Sequence, residues 1–193
     1  QKSLDNVKKV SEMAISHSKN LLKKEIEQLE AKSQKWKGSG KLLPIRIAEW
    51  LSETEKQKNS ISKIAGNKGI ETLEALEKKT LENVINFLAE NIENVLSNVK
   101  NKSLDELIEL LQICKEIEKN DNFSKYGLVV PSTIELEKST FEKLVVLVIS
   151  KNNITEISYK EIRSKFLSSI KSGEPVLLGA LDKLVSSYNL FQK

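Results

Sequence analysis

The N-terminal stretch shows one continuous helical pattern. Between residues 3 and 34, apolar side chains recur at steps of three and four residues, which predicts a single amphipathic helix. Neither Gly nor Pro interrupts it. At 1.5 Å per residue the helix would be about 45–50 Å long, so we expect it either to pack along a bundle or to project towards a partner. The stripe contains Leu4, Val7, Val10, Ala14, His17, Leu21, Leu22, Ile26 and Leu29.

The middle of the chain predicts a series of helices joined by short breaks. Gly38, Gly40 and Pro44 mark a linker, and a helix follows to about Lys58. The stretch 60–69 contains Gly66 and Gly69 and predicts a connector between helices. After it, helical periodicity resumes and continues to about Val99 with a wide apolar face.

Three Ser-x-x-Glu patterns predict helix starts, at Ser103–Glu106, Ser139–Glu142 and Ser158–Glu161. The helix after Ser139 is apolar nearly all round, so we expect it to be buried. Pro175 fits the first turn of a last helix, where its missing N–H costs nothing.

These patterns predict an all-α protein with three segments: a long basic helix over residues 1–38, an acidic helical bundle over 42–138, and a tri-helical unit over 139–193. Charge also divides along the chain. Residues 1–41 have ten lysines against five acids, residues 42–138 have 13 bases against 17 acids, and residues 139–193 have eight against five. Ordinary solvated helix faces and two basic binding ends both account for this distribution.

The order of elements in residues 139–193 is helix, short extended segment, helix, turn and helix. This order resembles the front part of a winged-helix domain, with ISYKEIRSKF similar to its second helix and ALDKLVSSYNLFQK similar to its third. The sequence ends at Lys193, where a two-stranded wing would follow, so we expect either a truncated wing or a tri-helical version. Helical arrays ending in a winged helix also occur in PCI-type scaffold subunits, which this order resembles in outline.

The resemblance implies that the third helix would enter the DNA major groove. In this chain that helix has no Arg or Gln to read bases, whereas basic residues on the preceding helix and turn suit phosphate contacts. The predicted nucleic-acid-binding residues are Lys160, Arg163, Lys165, Lys171 and Lys183.

Two tryptophans, Trp36 and Trp50, flank the predicted linker. Either could anchor a partner or stack on a base, and closing a subdomain boundary is the alternative use. We therefore predict a partner-binding site at these two residues.

Catalytic machinery is sparse. His17 and Cys114 both lie on apolar stripes, which favours packing over a Cys–His pair, and no cluster has metal-ligand spacing. We expect no enzyme, no cofactor and no metal. The single cysteine, the lack of a signal peptide and the short apolar runs predict a cytoplasmic or otherwise intracellular protein outside the membrane.

Two functions remain open from the sequence. The first is a non-enzymatic nucleic-acid-associated protein that contacts the phosphate backbone through its basic terminal segments. The second is a helical scaffold or adaptor that binds a protein partner or self-associates as a homo-oligomer. The charge segregation favours the first.

Overall fold

The computed structural model describes residues 2–36, 38–150, 155–170 and 175–188. Side chains are described for a smaller set, which excludes most of those in residues 1–22. The described residues contain no strand, and the all-α prediction is confirmed. The α-helices are α1 (Lys2–Ser33), α2 (Leu43–Ser97), α3 (Leu104–Glu118), α4 (Asp121–Lys125), α5 (Thr133–Ile149), α6 (Glu156–Ser169) and α7 (Pro175–Tyr188), with short 3-10 helices at Gln34–Trp36, Gly40–Leu42 and Val99–Asn101.

The chain forms two compact units, residues 1–84 and residues 85–193, and the boundary lies within α2. The three segments predicted from charge and linkers stay a prediction.

In the first unit, the C-terminal end of α1 is fixed to the start of α2. The side chain of Leu29 is buried, and its carbonyl accepts a hydrogen bond of 3.0 Å from Trp50 Nε1. The rings of Trp36 and Trp50 meet edge to face with centroids 5.7 Å apart. Lys32 also forms an ion pair with Glu53. Aromatic pairs of this geometry stabilise a fold by more than the burial of their apolar area alone.

Helix α2 cannot be straight. Lys58 Nζ lies 2.5 Å from Glu77 Oε2, although the two residues are 19 positions apart. On a straight helix that separation is roughly 28 Å along the axis, far more than the two side chains can bridge. The helix therefore folds back between Lys58 and Glu77, where the sequence predicts a connector containing Gly66 and Gly69.

In the second unit, α3 provides the central apolar face. Leu107, Leu111 and Cys114 are fully buried, and the helix starts with the predicted capping box between Ser103 and Glu106. Helices α5 and α6 both pack against α3 and meet each other through the rings of Phe141 and Phe166, whose centroids are 5.7 Å apart.

Two lysines of this unit bind the ends of other segments. Lys143 on α5 donates to the carbonyls of Val99, Lys100 and Lys102. Lys115 on α3 donates to the carbonyls of Ser168 (2.7 Å) and Ile170 (2.8 Å) at the end of α6. Carbonyls at a helix end have no partner within the helix, so an ammonium group satisfies them.

Three local predictions for this unit were wrong. Helix α5 starts at Thr133, so Ser139 lies inside it, because the buried stripe extends back through Leu136. Helix α6 starts at Glu156, and its capping box joins Thr155 and Ser158 rather than Ser158 and Glu161. The α5 helix is also not buried all round.

The apolar surface of α5 is covered on one side only. Thr133, Leu136, Thr140, Leu144 and Val148 are buried. On the opposite side, Val146 and Ile149 are exposed, which is why the expectation of full burial failed.

Candidate functional site

The predicted nucleic-acid residue Arg163 takes part in a side-chain cluster between α6 and α7. Its Nε atom lies 2.8 Å from Asp182 Oδ1 and its second guanidinium nitrogen 2.6 Å from Oδ2, so the pair is bidentate. The Tyr159 hydroxyl donates to the same Oδ1 at 2.7 Å. Two side chains about one helical turn apart on α6 therefore converge on one carboxylate of α7.

The charges of this cluster stabilise one another. Burial alone would raise the pKa of Asp182, but hydrogen bonds from Arg163 and Tyr159 outweigh it and the pKa is lowered. The hydrogen bond to Asp182 raises the pKa of Arg163. Burial, followed by the bond to Asp182, raises the pKa of Tyr159. The cluster is thus an ionised pair with a neutral phenol, which suits fixing α7 on α6.

Of the remaining predicted nucleic-acid residues, Lys165 has carboxylate partners. Lys165 lies 3.3 Å from Glu161 and 4.0 Å from Asp105. Lys160 and Lys183 are exposed, and Lys183 is the residue after Asp182 in the sequence. Lys171 lies outside the described residues. Whether these five residues bind nucleic acid stays a prediction.

The predicted partner-binding residues Trp36 and Trp50 are both buried, at 7% and 3% exposure. Their rings pack against each other, and Trp50 uses its only N–H for Leu29. In the structure these side chains join α1 to α2, and a role in partner binding stays a prediction.

A second feature of the first unit is a row of exposed side chains on α1. On α1, Met13, His17 and Leu21 follow one another at four-residue steps, and all three are exposed; Met13 is exposed by 65% and Leu21 by 38%. We call these three residues the α1 row. The sequence placed His17 and Leu21 on the apolar stripe, but the rest of that stripe before Leu21 lies outside the described side chains.

Sequence reasoning missed the ion pair between Lys58 and Glu77. Both side chains are almost completely buried, and Lys58 also lies 3.5 Å from Glu55. The available signal was periodicity: Glu77 lies four residues from both Leu73 and Leu81, in the middle of an apolar stripe. Reading every Lys and Glu as part of a solvated face hid this position.

The described residues show little that points to catalysis. Burial, with the Glu118 carboxylate adding to it, raises the pKa of Cys114 to about 12, so the thiol is protonated at neutral pH and a poor nucleophile. Within the described part of the chain, no group of three or more His, Cys, Asp or Glu is placed to hold a metal ion. None of the helices described there is both long and apolar enough to cross a membrane.

Comparison with known proteins adds no family to this picture: no family model, curated protein or solved structure matches the chain.

Proposed function

We propose that the protein is a helical adaptor that binds a protein partner through the N-terminal part of α1. The observation that carries this proposal is the exposure of the α1 row on a helix whose other end is fixed. Leu29 is 1% exposed and Trp50 donates to its carbonyl, whereas Met13, His17 and Leu21 face solvent.

A helix anchored at one end presents the apolar residues of the other end at low entropic cost. The anchored end already fixes the backbone, so a partner needs to order few further residues. Amphipathic helices are commonly recognised through apolar residues at steps of three and four, which is the spacing of the α1 row.

Contacts in the second unit also favour an adaptor over a nucleic-acid-binding protein. Arg163 and Lys165, which would have to contact phosphates, already face carboxylates of Asp182 and Glu161. A phosphate bound there would compete with these carboxylates for the two cations, which lowers the gain from each contact.

Substitution within the α1 row tests the proposal. Immobilised full-length protein is exposed to a lysate of its source organism, and captured proteins are identified by mass spectrometry. We expect Leu21→Lys to remove a defined set of captured proteins, because a charge in the apolar row must be desolvated on binding.

Ser16→Lys is the matched control, since Ser16 is exposed on the same helix, points away from Leu21 and gains the same charge. Its captured set should equal that of the wild type. If Leu21→Lys and Ser16→Lys capture the same proteins as the wild type, the α1 row does not bind partners. Circular dichroism of both variants verifies that α1 stays helical.

Nucleic-acid association is the second candidate, favoured by the exposed lysines of the first unit. Lys23, Lys24, Lys35 and Lys41 are all exposed, in a segment with ten lysines against five acidic residues. Fluorescence anisotropy with labelled duplex and single-stranded DNA, titrated with salt, tests it.

If the C-terminal helices contact phosphates, the double variant Arg163→Glu with Lys165→Glu should weaken binding to every DNA sequence and flatten the salt dependence of binding. Absence of binding by the wild type at low salt would end this second candidate.

A further inference from the structure

We propose that the junction between α1 and α2 is a second interaction surface, which binds the surface of an anionic lipid membrane. The surface shares no residue with the α1 row, so this contact goes beyond the proposed function. We call it the α2 corner, and it consists of the exposed residues Lys35, Lys41, Leu42, Ile45 and Arg46.

Two large apolar side chains project from the α2 corner. Leu42 is 52% exposed and Ile45 is 56% exposed, whereas Leu43 and Ile47 beside them in the sequence are buried. The backbone is helical from Gly40 onwards, and residues three apart on a helix are neighbours on its surface. Leu42 and Ile45 therefore form one open apolar face, opposite the face that joins the core of the first unit.

The packed side of this segment holds the open face in position. Trp36 and Trp50 are buried, and their rings meet edge to face. The Leu42 N–H also donates to the carbonyl of Ser39 at 3.0 Å. Because the backbone is already fixed, burying Leu42 and Ile45 against a partner costs little further conformational entropy.

The charge around this apolar face has one sign. Between Glu30 and Glu49 the sequence has five basic residues and no acidic residue. One of the five, Lys32, forms the ion pair with Glu53. The basic residues of the α2 corner are Lys35, Lys41 and Arg46. Such a stretch attracts an anionic surface, and each cation near an acidic membrane strengthens binding by about fivefold.

The apolar face favours lipid among the anionic partners. Nucleic acids are commonly bound by aromatic rings that stack on bases, but both tryptophans of this region are buried. A protein partner would need a pocket shaped for Leu42 and Ile45 as well as matching acids. A fluid bilayer needs no such match, because aliphatic side chains enter the acyl region while Lys and Arg stay at the phosphates.

The small size of the α2 corner sets the strength of binding. Lasting attachment to a membrane takes two signals, such as an apolar anchor and a basic patch. The α2 corner has both on a small scale, so we expect reversible binding that requires acidic lipid and weakens as salt rises.

Flotation of the full chain with lipid vesicles tests the proposal. We expect the wild type at low salt to float with phosphatidylcholine vesicles containing about 30% phosphatidylserine, and not with phosphatidylcholine alone. Leu42→Ser with Ile45→Ser should weaken binding by about tenfold or more, because it removes the apolar anchor. Val129→Ser with Ile134→Ser is the matched control, since these residues of the second unit are 66% and 63% exposed, and should bind like the wild type.

Charge reversal tests the basic residues separately. Lys35→Glu with Arg46→Glu should weaken vesicle binding by about tenfold or more. Lys63→Glu with Lys68→Glu makes the same change of charge at exposed residues near the fold-back of α2 and should have a much smaller effect. Equal weakening by the two pairs would show that net charge alone drives binding and would overturn the site. Circular dichroism verifies that all variants keep their helices.

A fluorescent probe at the α2 corner identifies the partner. Ile45→Cys is labelled with the dye NBD in a brief reaction, which the buried Cys114 thiol escapes. Emission should rise with acidic vesicles, as the dye enters the acyl region, and stay constant with duplex DNA or polyglutamate. A wild type that does not float with acidic vesicles, or a double serine variant at Leu42 and Ile45 that floats equally well, overturns the proposal. A rise in emission with DNA or polyglutamate but not with vesicles overturns the lipid assignment and gives the corner to that macromolecule.

Discussion

An ion pair lies at the fold-back of α2 and another lies at the junction of α6 with α7, in opposite settings. The side chains of Lys58 and Glu77 are 9% and 3% exposed, whereas those of Arg163 and Asp182 are 31% and 36% exposed. The buried pair is largely shielded from water, so solvent can do little to replace a lost partner. The half-exposed pair has better geometry, with a bidentate contact and a tyrosine, but solvent can compensate for its loss. Burial, rather than the number of hydrogen bonds, should therefore decide what each pair contributes.

The largest expected effect is at Glu77. Glu77→Gln leaves the Lys58 ammonium buried without its closest carboxylate, which should lower the free energy of unfolding by about 3–5 kcal/mol. Tryptophan fluorescence in a urea titration measures it, because both tryptophans, Trp36 and Trp50, belong to the first unit.

Two further variants make this result specific. Glu82→Gln removes an exposed carboxylate on the same helix, 3.9 Å from Lys78, and should change stability by less than about 0.5 kcal/mol. The double variant Lys58→Met with Glu77→Leu should recover most of the loss, since it removes both buried charges. Equal effects of Glu77→Gln and Glu82→Gln would contradict the expectation that burial decides how much each ion pair contributes to stability.

A smaller effect is expected at Asp182. Asp182→Asn keeps the size of the side chain but removes the charge that Arg163 and Tyr159 bind, and should cost about 1–2 kcal/mol after allowance for its partial exposure. Circular dichroism should show the loss, while the tryptophan transition stays at the wild-type urea concentration. Asp105→Asn, at a carboxylate with 78% exposure, is the matched control and should be neutral.

The Asp182 contribution should also depend on pH with a defined sign. Because its pKa is lowered in the folded protein, the stabilisation is complete above the ordinary carboxyl pKa and is lost as pH falls through the folded value. The difference between wild type and Asp182→Asn should thus be constant from neutral pH to about pH 5 and shrink below it. A difference that grows on acidification would refute the ionised pair.

The smallest effect is expected at Lys165, whose partner Glu161 lies one turn away at 3.3 Å with 64% of its side chain exposed. Lys165→Gln should change the free energy of unfolding by less than about 0.5 kcal/mol, measured by circular dichroism in a urea titration. A loss comparable to that of Asp182→Asn would show that partial exposure does not separate the two cases.

Much of the helical architecture follows from sequence, but these two ion pairs do not. Periodicity over many turns predicted α1 and α3, and Ser103 with Glu106 gave the correct start of α3. The same motif failed at Ser139 and Ser158, because Ser and Glu three apart are frequent inside helices of this composition, and only the surrounding apolar stripe shows where a helix begins.

The partners of charged residues were beyond sequence reasoning for a different reason. Lys58 meets Glu77 only because α2 folds back, and Arg163 meets Asp182 only because α7 packs on α6. Local pattern indicates which face of a helix is apolar, but it contains no information on which charged residue a distant helix brings near. For the same reason, the sequence shows which residues of α6 are basic, but it does not show that a carboxylate of α7 pairs with one of them.

The buried thiol of Cys114 makes it possible to measure how often the core of the second unit opens. It is the single cysteine of the chain, it is fully buried, and its raised pKa suppresses the reactive thiolate. A thiol reagent can therefore label the protein only when the α3 core opens, and the labelling rate in native buffer reports how often that happens. Each variant of the second unit can be ranked by this rate without added denaturant.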